Sequence, residues 1–162
     1  MEGRNCFVDL VFAEIHTPTA GGAWKEEMRT RARSAREVLR RHPWAIGLLE
    51  SRKAPGPATL KHHEATLATL RAAGFTVQQT ARAYSLLDSY IYGFALQEAA
   101  LPIAGAEPMA DVAAPIMERF ATGEYPHMVE IATEVVMQPG YDYGNEFAHG
   151  LELILGALEP VQ

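Results

Sequence analysis

The chain has 162 residues, of which 48% are hydrophobic and 21% are charged, a length and composition that fit one folded domain and exclude a disordered or fibrous chain. Its formal net charge of -6 disfavours a free-standing nucleic-acid binder, because such domains are usually basic. The single cysteine, Cys6, excludes an intramolecular disulfide and a cysteine-rich zinc site.

The first predicted helix covers Cys6–Ile15. Its apolar stretch is interrupted by Asp9 and Glu14 and is too short to span a bilayer. It also lacks the small-residue cleavage site of a signal peptide. With no membrane or export signal in view, we expect a soluble, cytoplasmic protein.

The second predicted helix covers Trp24–Arg41 and has two distinct faces. The apolar face carries Trp24, Met28, Ala32, Ala35 and Leu39. The basic face carries Arg29, Arg33, Arg36 and Arg40. Interspersed glutamates would repel phosphate and no aromatic residues interleave, so we interpret the basic face as solvated rather than as a nucleic-acid surface.

Proline and glycine set the next boundaries. His42 precedes Pro43 and therefore ends the second helix, and Pro43 suits the first turn of a short helix through Leu49. Pro57 opens a fourth helix that runs to Ala73. Its predicted inward face carries Leu60, His63, Leu67 and Leu70. Gly74 is placed to cap its C-terminus, and Thr76 with Gln79 matches a capping box for the next helix.

The fifth predicted helix, Val77–Leu101, is apolar on nearly all sides. One face carries Ala81, Tyr84, Asp88 and Tyr92. A second face carries Leu86, Tyr90, Gly93 and Gln97. A helix of this kind must be buried on several sides, which one small domain rarely achieves. We therefore expect one face to meet the domain's own core and another to meet a second subunit.

Three further helices are predicted, over Met109–Phe120, Pro126–Met137 and Tyr143–Leu158. The apolar face of the last one carries Phe147, Leu151, Ile154 and Leu158, with Leu155 beside it. No segment shows the sustained alternation of a strand. The prediction is an all-α bundle of about eight helices forming one domain over residues 1–162.

Motifs for catalysis and cofactor binding are missing from the sequence. It contains no GxGxxG, no GxxxxGK[ST] and no GxSxG. Glu146 and His149 form one Glu-x-x-His pair, whereas a carboxylate di-metal bundle needs two such pairs and two further glutamates. We expect no metal, no cofactor and no enzymatic activity.

Two polar residues on apolar faces allow two interpretations. His63 and Asp88 are either core residues satisfied by neighbours or polar groups in a ligand cavity, since a buried carboxylate is costly unless it is paired or hydrogen-bonded. Trp24, Met28, Trp44 and Leu48 are ordinary core residues unless a cavity exists, in which case they form its walls.

The order of the segments resembles the C-terminal ligand-binding and dimerisation domain of TetR-family transcriptional repressors, of the tetracycline-repressor type. The resemblance covers nearly the whole chain, and its specificity lies in the order and spacing of several short runs. These are the Trp24 helix followed by Arg41–Trp44, then Gly56–Pro57, Leu70–Phe75, Tyr92–Glu98 and Phe147–Leu151.

One departure concerns DNA binding. Proteins of this family begin with a three-helix domain that contains a helix-turn-helix, whereas here Met1 is followed almost at once by the helix that would link the two domains. We therefore interpret the sequence either as a fragment or as a homologue that lacks the DNA-binding domain. Direct nucleic-acid contact by this chain is not expected.

The resemblance implies a homodimer held by a four-helix bundle, with an allosteric effector pocket in each subunit. The implied interface residues are Leu86, Tyr90, Gly93, Gln97, Phe147, Leu151, Ile154, Leu155 and Leu158. The implied pocket residues are Trp24, Met28, Trp44, Leu48, His63, Leu67, Tyr84, Asp88 and Tyr92, together with His127 and Met128 of the partner subunit. An aromatic, drug-like or cationic effector suits this set.

Two other functions stay open. A small helical enzyme or metalloprotein would use His63, Asp88 or the Glu146 and His149 pair. Alternatively, the chain is a partner without a DNA-binding domain that forms heterodimers with a full-length repressor.

Overall fold

The computed structural model describes residues 2–49, 55–101, 118 and 123–160. In these ranges the regular elements are helices and no strand is present, which confirms the all-α prediction. The helices are α1 (Glu2–Glu14), α2 (Trp24–Arg41), α3 (Pro43–Leu49), α4 (Pro57–Ala72), α5 (Val77–Ala100), α6 (Pro126–Ile131), a π-helical segment (Ala132–Val136) and α7 (Gly144–Ala157). The helix predicted over Met109–Phe120 lies outside the described residues, apart from Glu118.

The chain divides into two compact units. The first consists of Met1–Ala99 and Phe147–Gln162, and the second of Ala100–Glu146. The prediction of one domain over residues 1–162 stays a prediction.

Helix α2 supplies the centre of the first unit. Its buried residues are Met28, Arg31, Ala32, Ala35, Val38 and Leu39, so four of the five predicted apolar positions are confirmed. The His42 amide donates to the carbonyls of Val38 and Leu39, and α3 starts at Pro43 as predicted. The buried Arg31 was not predicted.

The basic face of α2 is only partly solvated, which corrects the sequence interpretation. Arg29 donates to the Glu152 carboxylate of α7, and Arg36 donates to Glu98 of α5 with an Nε–Oε2 distance of 2.9 Å. Arg33 and Arg40 are exposed as expected. The arginine run therefore joins three helices of the first unit.

The buried face of α4 differs from the predicted one. The structure buries Thr59, His62, Thr66, Thr69 and Leu70, whereas Leu60 is 53% exposed. The threonine hydroxyls of Thr66 and Thr69 donate to the carbonyls of His62 and Ala65, at 2.9 and 2.8 Å. Because these hydroxyls are satisfied by their own helix, they carry little penalty for burial.

The N-terminal end of α4 is capped by a residue of α1. At its start the Asp9 carboxylate of α1 accepts hydrogen bonds from the amides of Ala58 and Thr59 and from the Thr59 hydroxyl, at 3.1, 2.9 and 3.0 Å. Asp9 thus performs the role of an N-cap side chain, since Gly56 has none. A Cβ atom at Gly56 would lie 2.5 Å from that carboxylate.

The boundary between α4 and α5 has the predicted chemistry. Gly74 has a φ of 96°. The amide of Gly74 donates to Arg71 and that of Phe75 to Leu70, which is the Schellman pattern. Thr76 and Gln79 exchange hydrogen bonds of 2.9 and 3.2 Å, which confirms the capping box.

Helices α5 and α7 pack antiparallel in the first unit. Tyr90 donates its hydroxyl proton to the Phe147 carbonyl at 3.0 Å and stacks on the Phe147 ring at 5.4 Å, while Gln79 at the other end of α5 donates to the Glu159 carbonyl at 3.4 Å. Phe147, Leu151 and Leu155 are at most 1% exposed. They pack in the protomer's own core, and their predicted place in a subunit interface stays a prediction.

The second unit contains α6 and the π-helical segment, which together cover most of the predicted helix Pro126–Met137. Neither element has a buried residue. Its exposed large hydrophobic residues are Tyr125, Met128, Ile131, Val135 and Met137. Across the described part of the chain, no helix has the length and apolarity needed to cross a membrane.

Gly150 is needed for the contact between α5 and α7. A Cβ atom there would lie 2.8 Å from Cζ of Tyr90, a ring fixed by its stacking and hydrogen bond. We expect Gly150→Ala to lower the free energy of unfolding by about 1–3 kcal/mol through overpacking, as measured by urea denaturation. Gly156→Ala in the same helix is the control, because its Cβ would meet nothing within 4 Å. Equal stability of both variants would contradict the packing described.

Candidate ligand-binding cavity

A cavity of about 680 Å³ opens among α1, α3, α4 and α5 of the first unit. This volume is typical of small-molecule sites. Its lining residues are Phe12, Ile46, Pro55, Thr59, His63, Tyr84, Ser85, Asp88, Ser89, Tyr92, Gly93 and Leu96. The shared face predicted for α5 thus brings Tyr84, Asp88 and Tyr92 to one wall, opposite His63 of α4.

Beneath the cavity a buried arginine joins three helices. Arg31 of α2 is 1% exposed. Its Nη2 donates to Asp88 Oδ1 of α5 at 2.5 Å, and its Nε donates to His62 Nε2 of α4 at 3.0 Å. Burial would favour a neutral guanidine, but the charge of Asp88 and the other contacts raise the pKa of Arg31. The site therefore contains a charged pair whose net charge is zero.

His62 is neutral in the folded protein. Burial lowers its pKa to about 3, and the Arg31 charge adds to the effect. Since Nε2 accepts a hydrogen bond from Arg31, the ring proton lies on Nδ1. His62 is thus an acceptor that the ion pair requires, and its uncharged state is part of the fold.

The aromatic wall of the cavity is held by ring contacts. The His63 ring meets Tyr84 edge-on at 5.6 Å and Phe12 edge-on at 5.8 Å. Burial raises the pKa of both Tyr84 and Tyr92 well above the usual range, and the Asp88 charge adds to each effect. Both tyrosines therefore stay protonated phenols.

Four buried polar atoms have no hydrogen-bond partner among the described residues. They are Arg31 Nη1, His62 Nδ1, Thr80 Oγ1 and Tyr92 Oη. The Arg31 and His62 atoms are donors, and the two hydroxyls can either donate or accept.

The other predicted pocket residues lie elsewhere. Met28 is 1% exposed in the core, and Trp24 packs edge-on against Phe75 at 4.9 Å. Trp44 is 49% exposed. Leu48 and Leu67 are half-buried and do not line the cavity. His127 and Met128 are exposed residues of the second unit.

Several site residues were missed by the sequence analysis. Arg31 lies three residues after Met28 and four before Ala35, so helical spacing alone places it on the buried face. His62 was missed because the apolar face of α4 was assigned one residue away. Gly93, which was predicted for the subunit interface, also lines the cavity.

No metal centre is formed by the part of the chain that the structure describes. No three His, Cys, Asp or Glu side chains converge within it. The Glu146 and His149 side chains are both exposed.

Comparison with known proteins identifies relatives of one kind. Residues 17–161 match the family model described as tetracyclin repressor-like, C-terminal domain. The chain is 28% identical to the HTH-type transcriptional repressor DrrR1 of Streptomyces coeruleorubidus, over 97% of this chain and 62% of DrrR1. It is 33% identical to an HTH-type transcriptional regulator of Saccharopolyspora erythraea, over 53% of this chain and 37% of that protein. The chain thus spans less than two thirds of either relative.

Solved structures show the same fold. The TetR family protein ActR of Streptomyces coelicolor, in complex with actinorhodin, superposes with a TM-score of 0.73 at 24% identity, over 96% of this chain and 73% of ActR. A protein of Streptomyces coelicolor A3(2) described as a possible TetR family transcriptional regulator superposes with a TM-score of 0.70 at 31% identity, with the same coverage.

The neutral state of His62 makes stability depend on pH. Its folded pKa of about 3 lies below the ordinary 6.5, so between these values the unfolded chain binds a proton that the folded chain does not. This contribution to stability is complete above pH 6.5 and is lost as the pH falls. It amounts to about 2 kcal/mol between pH 7 and pH 5.

The matched variant is His62→Gln, which keeps an acceptor for Arg31 Nε but gains no proton. We expect urea unfolding to show a smaller loss of stability for this variant than for the wild type between pH 7 and pH 5. Parallel pH profiles of the two proteins would show that His62 does not carry the effect.

Proposed function

The chain belongs to the tetracyclin repressor-like C-terminal domain family, and from that premise we propose that it is the effector-binding and dimerisation part of a transcriptional regulator. The observation that carries the proposal is the aromatic-walled cavity with one buried ion pair at its floor. Asp88 is already bonded to Arg31, so we propose recognition there rather than catalysis. We also propose that the whole regulator is cytoplasmic, binds DNA and represses transcription.

The effector would act by shifting a conformational equilibrium. Thr59 lines the cavity and also donates to Asp9 of α1. A ligand that moves Thr59 therefore acts directly on α1. In a complete regulator α1 would pass this shift to a DNA-reading domain.

The proposed dimer interface combines α5 with α7. These helices run antiparallel, and each leaves a large leucine exposed: Leu86 is 46% exposed on α5 and Leu153 is 64% exposed on α7. Ile154 and Leu158 are half-buried within the protomer. Exposed apolar residues on adjacent helices favour pairing with a second copy, with Gln97 at the edge.

The dimer is tested by light scattering at micromolar concentration. We expect the wild type to have twice the mass of one chain. The double variant Leu86→Arg and Leu153→Arg is expected to be a folded monomer, because two charges would be buried without partners. Leu60→Arg is the control, since this α4 leucine is similarly exposed at 53%. A monomeric wild type would contradict the proposed interface.

Effector binding is tested with actinorhodin, the ligand in one ActR structure. We expect calorimetry to detect binding, and Ser89→Trp to weaken it at least about tenfold because the new ring would fill the cavity that Ser89 lines. The matched control is Val77→Trp, at an exposed position of the same helix outside the lining. Equal binding by the two tryptophan variants would place the ligand outside this cavity.

A further inference from the structure

The polar floor of the cavity selects among ligand chemistries. We propose that the effector is a neutral, hydroxyl-bearing aromatic molecule whose hydroxyl group donates a hydrogen bond to Asp88. This inference rests on the proposed function and names the ligand class for the same cavity. It replaces the cationic effector that Asp88 suggested in the sequence.

Asp88 has acceptor capacity directed at the cavity. An ionised carboxylate offers about four lone-pair sites. Asp88 receives one hydrogen bond from Arg31. Its side chain is 15% exposed and lines the cavity, so the remaining capacity is accessible from the ligand's side. A ligand donor is therefore favoured over a ligand that has acceptors alone.

Charge argues against a cation at this position. The Asp88 charge is balanced by Arg31, whose Nη2 lies 2.5 Å from Asp88 Oδ1. A ligand ammonium bonded to the same carboxylate would lie close to the guanidinium, and the two positive charges would repel each other. A neutral hydroxyl supplies the proton without the repulsion.

The lining also favours an aromatic body. Phe12, His63, Tyr84 and Tyr92 present rings to the cavity, and Ile46 with Leu96 completes its apolar wall. Rings of this kind gain from edge and face contacts with an aromatic ligand. A cavity of about 680 Å³ has room for several fused rings.

Four compounds that share one ring system test the proposal by calorimetry at pH 7. They are fluorene, 9-hydroxyfluorene, 9-fluorenone and the ammonium form of 9-aminofluorene. A hydrogen bond to a charged group predicts that 9-hydroxyfluorene binds about tenfold tighter than fluorene. We expect 9-fluorenone and the ammonium compound to bind no tighter than fluorene. Tightest binding by either of these two would overturn the proposal.

Variants identify the group responsible. Substituting Asp88 alone would leave Arg31 charged and unpaired, so the test uses the double variant Arg31→Met and Asp88→Leu, which removes both charges. We expect 9-hydroxyfluorene and fluorene to bind this variant with equal affinity, whatever the absolute value, because the carboxylate acceptor that lines the cavity is gone. Arg40→Met with Glu37→Leu removes an exposed ion pair of α2 and is the control. A preference that persists in the Arg31 and Asp88 variant overturns the proposal.

The same experiment separates this inference from the proposed function. In one outcome none of the four compounds binds, whereas actinorhodin binds the wild type and binds the Ser89→Trp variant more weakly. The inference about the hydroxyl group then fails, and the proposed effector site stands. If neither the four compounds nor actinorhodin binds, the proposed function fails as well.

Discussion

The first unit is organised around a charge that has no access to solvent. The Arg31 guanidinium is 1% exposed, and a buried charge of this kind is costly unless it is paired with an opposite charge. Its partners lie on two other helices, His62 on α4 and Asp88 on α5. The rotation of both helices about their axes is thereby constrained. Removing one partner from such a pair typically costs about 3–5 kcal/mol, whereas a shift of apolar contacts costs much less.

The cavity follows from this constraint. Asp88 must reach Arg31, so the face of α5 that carries Tyr84, Asp88 and Tyr92 turns toward α2 and α4 instead of toward the surface. The side chains above the pair are rings and small polar groups, which leave space between α4 and α5. On the other side of α5, Arg36 lies over the rings of Phe94 and Phe147, at 5.5 and 5.3 Å, while bonding Glu98. The basic face of α2 thus stabilises helix packing rather than solvation alone.

The sequence predicted features that depend on neighbours along the chain. The Gly74 cap, the Thr76 and Gln79 capping box and the start of α3 at Pro43 are local, and all three are confirmed. Asp88 was located because it shares one helical face with two tyrosines. Arg31 was missed because it lies in an arginine-rich helix, where charge normally marks the surface.

Tertiary contacts explain the remaining differences. The apolar pattern of α4 pointed to Leu60, but burial followed His62 and the self-bonded threonines, because Arg31 needs an acceptor there. Phe12 and Ile46 enter the cavity from α1 and α3, and the long-range packing that brings them together leaves no local signal. The predicted apolar face of α7 is buried at Phe147 and Leu151 within the protomer, whereas Ile154 and Leu158 are only half-buried.

The junction between α1 and α4 shows how a ligand could act at a distance under the proposed function. Asp9 holds the first turn of α4 through three hydrogen bonds, and one of their donors, the Thr59 hydroxyl, belongs to a residue of the cavity wall. Hydrogen bonds to a charged group contribute about 1.5–3 kcal/mol each. Allosteric coupling between two sites typically amounts to about 1–3 kcal/mol. Weakening one of the three bonds by moving Thr59 would therefore supply coupling of the required size. The cap on α4 is Asp9, which belongs to α1, the helix that would carry the signal. A small movement of Thr59 is therefore sufficient, and the helices need not rearrange further.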